Sequence, residues 1–312
     1  MQTCSCDATL SNTGTPTCNS LMDVAEKIII VPKYDSNGEL NFIDLTDTLD
    51  QTYFDDKINA TNKQDRWYPL PRVKNAESSK ADSVFETYAD GSKELIQEGV
   101  RSWSVLIPKQ TPTLLGKLKT WRCTEFGIYI IDKSGNLIGS LDATDELYPI
   151  SVEGASWNPI LVFPTPTAVQ KIDLKFDIDQ LAQDENLQMI LAGSLGSVRL
   201  LNLNGLIDVY GAVTNISTTS FKIRLTTDYG DAIDPGIVED LTAVDFISSV
   251  GGATSKVRNQ TDASDVSVTV AESPAGTYTL TYTAQTSADV LYVKPSAIGF
   301  DFSAAEQTVT IP

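Results

Sequence analysis

The chain has 312 residues, of which 41% are hydrophobic and 21% charged, the balance of an ordinary folded protein long enough for two domains. Its 23 Lys and Arg against 41 Asp and Glu give a formal charge of −18, which argues against a nucleic-acid-binding groove, since that needs clustered cations to neutralise phosphates. Histidine is absent, which removes Ser-His-Asp and Cys-His nucleophile systems and HExxH zinc sites, so no enzyme activity and no cofactor is expected.

Residues 1–25 are rich in Thr, Ser and Asn, show no periodicity and read as an N-terminal arm. They hold neither a basic n-region nor an apolar h-region, so a cleaved secretory signal is not expected and folding in a cytoplasm is. Cys4, Cys6 and Cys18 cluster there, with Cys123 far away, a spacing that matches no standard zinc pattern. Disulfides, free thiols and a four-thiolate site all stay open. Apolar runs such as residues 28–31 and 128–131 are strand-sized, well short of the roughly 20 residues that span a bilayer, so no membrane partner is expected.

A β domain is expected over residues 26–202. It opens with a strand pair, residues 27–32 and 39–45, around the turn Asp35-Ser-Asn-Gly38. Leu49, Tyr53 and Ile58 recur at helical spacing and predict a short helix within 47–58. Residues 59–82, with the rigid insert Trp67-Tyr-Pro-Leu-Pro71, read as an extended polar loop, a reaching arm in an assembly protein.

Residues 83–107 then predict one long hairpin, because Asp90-Gly91 suits a two-residue turn with φ > 0 at both central positions. If residues 93–107 run as one strand, at about 3.3 Å per residue they reach roughly 50 Å. Trp103, Val105 and Ile107 alternate with Ser102 and Ser104 and read as the anchored half. The outer half, with Tyr88, Lys93, Glu94, Ile96 and Glu98, has nothing predicted to pack on. A projecting two-stranded ribbon is marginal alone and its edges invite another chain, so these ten positions, Tyr88, Asp90, Gly91, Lys93, Glu94, Ile96, Glu98, Trp103, Val105 and Ile107, are the candidate oligomerisation hairpin.

Thr111-Pro112 followed by Leu114, Leu118 and Trp121 predicts a helix over 111–122, with Lys117, Lys119 and Arg122 at its carboxyl end. Strands are expected at 126–132 and 137–141 around Ser134-Gly135, then at 148–152, 157–163 and 169–178, the last alternating Ile172, Leu174, Phe176 and Ile178 with charged residues. A second short helix is expected over 179–191. From residue 203 to 312 about seven short strands (206–213, 220–226, 243–248, 267–271, 277–284, 290–293 and 307–311) predict a β-sandwich of immunoglobulin-like size, without the cysteine pair or tryptophan of antibody domains.

Other chemistry reads blandly. Asp228, Asp231, Asp234, Glu239 and Asp240 are oxygen-rich but lack the alternating ligands of an EF-hand, and an exposed loop explains them equally well. Of the four tryptophans, Trp103 and Trp121 fit core positions better than a carbohydrate-stacking set. The sequons at Asn59, Asn215 and Asn259 carry little weight in a Ser/Thr-rich chain.

The order of elements in residues 26–200 resembles the major tail tube proteins of long-tailed bacteriophages. The stretches that carry it are residues 83–107, with Glu98-Gly-Val-Arg-Ser-Trp103 opening the second strand, the helix 111–122 and the strand 169–178; residues 274–282 resemble the late strands of bacterial and phage Ig-like modules. The resemblance implies a mainly β fold, a tail-tube-type sandwich or barrel with a long hairpin and one packed helix, followed by an Ig-like β-sandwich. It implies a virion protein, made in the host cytoplasm, whose partners are copies of itself and other tail proteins. Stacked rings would form a conduit through which DNA passes without specific binding, with Glu94 and Glu98 as candidate lumen-lining residues repelling phosphate. Other expectations are a head-decoration, connector or tail-terminator protein, and a bacterial surface adhesin.

Overall fold

The computed structural model describes residues 20–142, 145–180, 182, 184–231, 233–246 and 257–312, and divides into two units between Asn204 and Gly205. Both are mainly β. Cys4, Cys6, Cys18 and most of the expected arm lie outside the described residues.

In the first unit the chain runs through β1 (Ala25–Pro32), β2 (Ile43–Asp44), α1 (Gln51–Ile58), β3 (Tyr68–Pro69), β4 (Lys74–Lys80), β5 (Val84–Thr87), β6 (Lys93–Gln97), β7 (Arg101–Pro108) and α2 (Pro112–Lys119). It continues through β8 (Phe126–Asp132), β9 (Leu137–Leu141), β10 (Glu146–Tyr148), β11 (Ile150–Val152), β12 (Asn158–Val162), β13 (Lys171–Asp177) and β14 (Leu187–Ile190). One sheet has the order β2-β10-β9-β8-β1-β3, with β11 also on β8 and β14 on β9; a second has the order β12-β13-β7-β4; β5 and β6 form a separate two-stranded ribbon.

Strands β1 and β8 are apolar almost throughout because both their faces are covered. Ile28, Ile30, Ile128 and Ile130 face the second sheet, where Val105, Ile107, Ile172, Leu174 and Phe176 meet them. On the opposite face Tyr129 packs on Trp67 at 5.2 Å, and Trp67 in turn takes Phe54 of α1 edge-on. Trp157 sits at the centre of the core between Phe126 and Phe176, ring centroids 5.0 and 5.2 Å away, and its indole N–H donates to the Leu118 carbonyl at 2.9 Å. That bond ties α2 to the sandwich. The helix starts at Pro112 and buries Leu118, with Leu114, Leu115 and Trp121 packed on the same core.

Several expectations are corrected. The turn at 35–38 forms, with the Asp35 carboxylate accepting from the Asn37 and Glu39 N–H groups, but the chain after it makes an isolated bridge, Leu40 to Tyr34, past the end of β1 and pairs at Ile43–Asp44 with β10. Residues 59–82 are not a loop: β4 lies in them as the edge partner of β7. Residues 187–190 are strand β14 on β9, not helix, preceded by one 3-10 turn. The fully buried tryptophans are Trp67 and Trp157, whereas Trp103 and Trp121 are half-buried at the rim.

The second unit contains β15 (Ile207–Thr214), β16 (Ser220–Thr227), β17 (Gly236–Ile237), β18 (Val257–Asn259), β19 (Val268–Glu272), β20 (Thr277–Tyr282), β21 (Val290–Val293), β22 (Phe300–Asp301) and β23 (Gln307–Thr310). One sheet runs β19-β20-β16-β15-β22 with β17 on β16, and the other runs β18-β21-β23. Alternate residues of β16 and β20, namely Phe221, Ile223, Leu225, Tyr278 and Leu280, meet Leu291, Val293 and Val309 in one core. Residues 243–246 form a 3-10 turn where a strand was expected.

Lys27 of β1 is 1% exposed, with Nζ 3.5 Å from the Leu201 carbonyl. Burial, aided by repulsion from Arg72, pushes its ammonium down to about 8 from 10.5. Between those values the unfolded chain binds a proton that the folded chain has released, so stability rises with pH by up to ~3 kcal/mol. Denaturant unfolding of the Lys27→Met variant at pH 7 to 10 is expected to show that rise removed and the pH 7 stability higher than wild type. Trp157→Ala, which opens a cavity and removes the indole bond to the Leu118 carbonyl, is expected to cost about 3–5 kcal/mol in the same measurement.

Candidate assembly site

The ribbon β5–β6 continues two strands of the four-stranded sheet. Strand β4 leads into β5 through residues 81–83, and β6 leads into β7 through residues 98–100, so residues 93–107 are two strands with a break rather than one. At the break Ala81 N–H donates to the Val100 carbonyl at 2.9 Å, and Gly99 packs so closely that a Cβ there would lie 1.7 Å from the Ala81 oxygen. Only glycine fits without moving the backbone. Asp184 clamps the junction, accepting from Arg101 at 2.7 Å and Lys80 at 3.0 Å, and Arg101 also donates to Ser78 Oγ. Arg101 first, and Lys80 with it, holds the Asp184 carboxyl below the usual carboxylate range.

The tip differs from the expected two-residue turn. Gly91 N–H donates to the Tyr88 carbonyl and Tyr88 N–H to the Ser92 carbonyl, with Gly91 at φ +85° and Asp90 at negative φ. This is a three-residue loop, a type I turn closed by a left-handed glycine, which gives the strands the twist they need. Asp90 accepts from the N–H and hydroxyl of Ser92, chiefly the hydroxyl, and its carboxyl is lowered accordingly.

Register decides what each face carries. Phe85 faces Leu95 and Thr87 faces Lys93, while Glu86 faces Glu94. Residues directly opposite share a face, so Phe85, Leu95, Thr87 and Lys93 are on one side and Glu86, Glu94 and Tyr88 on the other. Two carboxylates directly opposite repel, and the Tyr88 hydroxyl donates to Glu94 between them, an interaction that raises the phenol. Ile96 is the extra residue of a bulge between Val84↔Gln97 and Phe85↔Leu95. Of the nine ribbon residues only Leu95 is half-buried; Val84, Phe85 and Ile96 are 52, 52 and 61% exposed.

Tyr88, Asp90, Gly91, Lys93, Glu94 and Ile96 therefore lie together on the exposed ribbon. Glu98 does not: it sits in the junction, 3.5 Å from Lys80. Val105 and Ile107 are fully buried and Trp103 half-buried against the core of their own unit, which makes them anchors and not surface for a partner. Sequence reasoning missed Phe85 and Glu86: a two-residue turn at Asp90-Gly91 would have set them opposite Ile96 and Leu95, and only the three-residue loop sets them opposite Leu95 and Glu94. It also missed that β4 and β12, the outer strands of the four-stranded sheet, have no further strand partner among the described residues. The face of this sheet turned away from the core carries Glu77, Asp173 and Asp177 against Lys74, Lys171 and Lys175, and is net neutral.

In the second unit Asp231 caps its own turn by accepting from the Ile233 and Asp234 N–H groups, and Glu272 accepts from Asp240 N–H. Among the described residues no group of three or more Asp, Glu, Cys or His side chains is placed to hold a metal.

Gly99→Ala is expected to destabilise the first unit by ~2 kcal/mol or more, because the junction backbone must shift. Hydrogen exchange at residues 81–100 is expected to quicken most in that variant, while the second unit keeps its protection. Comparison with protein-family models, with curated proteins and with solved structures finds no match for this chain.

Proposed function

We propose that this chain is a structural subunit that associates with copies of itself into rings and a tube, as the resemblance to major tail tube proteins of long-tailed bacteriophages implies. The observation that carries the reading is the sheet β12-β13-β7-β4, whose two outer strands have no partner on their outer sides among the described residues and whose neighbours are all antiparallel. With four alternating strands, β4 and β12 point in opposite directions. A β4 edge laid beside the β12 edge of a second copy therefore continues the antiparallel ladder, and repetition by rotation closes a ring without any exposed edge.

The ribbon extends two of these strands past the body of the unit. In the tube reading the outward face of the sheet lines the bore, and its neutral balance of three carboxylates and three lysines gives DNA nothing to bind. Glu94, joined by Glu86, supplies an acidic collar at the ribbon, whereas Glu98 is partly neutralised by Lys80. Other tail proteins would cap the ends in the virion.

Negative-stain microscopy of the purified protein is the test: rings or tubes are expected, and a monomer at every concentration contradicts the reading. Replacing residues 85–95 by Asn-Gly is expected to leave a folded protein with the circular dichroism of the parent that forms no tubes. Tubes of normal length from the shortened chain would mean that the ribbon is not part of the assembly surface.

A further inference from the structure

The four-stranded sheet is electrically polar along its strands. At one end stand the junction and ribbon, residues 82–98, with Asp82, Glu86, Asp90, Glu94 and Glu98 against Lys93 alone. At the other end β7 finishes at Pro108 opposite Lys171. No Asp or Glu occurs at residues 101–124 or 154–172, while Lys109 and Lys171 lie together at that end. Lys109 N–H donates to the Gln170 carbonyl at 2.8 Å and the Gln170 amide to the Gln110 carbonyl at 2.6 Å, which fastens the two lysine-bearing segments to each other.

Both ends are also apolar. The ribbon exposes Val84, Phe85 and Ile96; the turn between β12 and β13, closed by Thr165 N–H on the Ala168 carbonyl, exposes Phe163 at 73% and Val169 at 53%. Each end thus combines exposed apolar side chains with one sign of charge, and the signs are opposite. Among the described residues the Tyr88 hydroxyl, which donates to Glu94, is the group set between Glu86 and Glu94, and cations from outside would relieve their repulsion.

We infer that the ribbon end of one copy docks on the Lys109–Lys171–Phe163–Val169 end of a second copy, and that this contact stacks one ring on the next. It is a heterologous contact between two different patches, the kind that propagates into an open filament instead of closing. This inference rests on the ring reading above and adds the surface by which rings become a tube.

The test is Lys109→Glu with Lys171→Glu, alongside Phe163→Ser as a second variant without charge change, each viewed by negative stain at low and high salt. Wild type is expected to form tubes at low salt that fall into single rings near 1 M, where the Debye length is about 3 Å. The charge-reversed variant, with unchanged circular dichroism, is expected to give rings and no tubes, and adding Glu86→Lys with Glu94→Lys is expected to restore them. Phe163→Ser is expected to shorten the tubes formed at low salt. Normal tubes from both variants, or wild-type rings that never stack, overturn this inference and leave the ring reading standing; a wild type without rings overturns both.

Discussion

Strand β7 is the element on which the rest of the first unit depends. It is hydrogen-bonded on both sides, by β4 and β13, and sends Val105 and Ile107 fully into the core, each such burial stabilising by about 1.5–3 kcal/mol. A ribbon of nine residues, eight of them exposed, cannot hold its own shape in water. Its order comes from being the continuation of β4 and β7, through a junction where Gly99 lies against Ala81 and Asp184 holds Lys80 and Arg101. Rigidity made in the sandwich is thereby passed to a segment that makes no core of its own.

The electrostatics follow from the same arrangement. A net charge of −18 is spread over both units, but in the first unit it is not uniform along the strands. Carboxylates gather where the ribbon leaves the sheet, lysines where β7 finishes and β13 begins, and the sheet face between them balances to zero. Opposite ends of two copies brought together would attract through such a gradient, over distances shorter than a Debye length of roughly 8 Å at physiological salt.

How much of this was legible depended on whether a residue's neighbours were near in sequence. The β8–β9 hairpin, the helix at Pro112 and the alternation of β13 were readable because pattern and turn lie side by side. Strand β4, KNAESSK, was not: it is an edge strand with polar residues on nearly every position, so it has the composition of a loop and becomes a strand only because β7 offers a free edge. Strand β14 misled for the related reason that LQMI has no period of its own and is set by β9. Trp67 and Trp157, from a proline-rich stretch and a strand start, are the deepest tryptophans because of long-range packing that periodicity does not report. At the candidate site the hairpin and its tip were visible, while the pairing of Glu86 with Glu94 needed the true register, and the free edges needed the whole sheet.

The central claim is that copies join through the free edges of the four-stranded sheet. Amide hydrogen exchange compared between dilute monomer and assembled protein addresses it directly. The account predicts that Lys74–Lys80 and Asn158–Val162 gain protection together on assembly, because each edge becomes an inner strand of a shared ladder. Protection gained elsewhere with both edges still exchanging as in the monomer would contradict it.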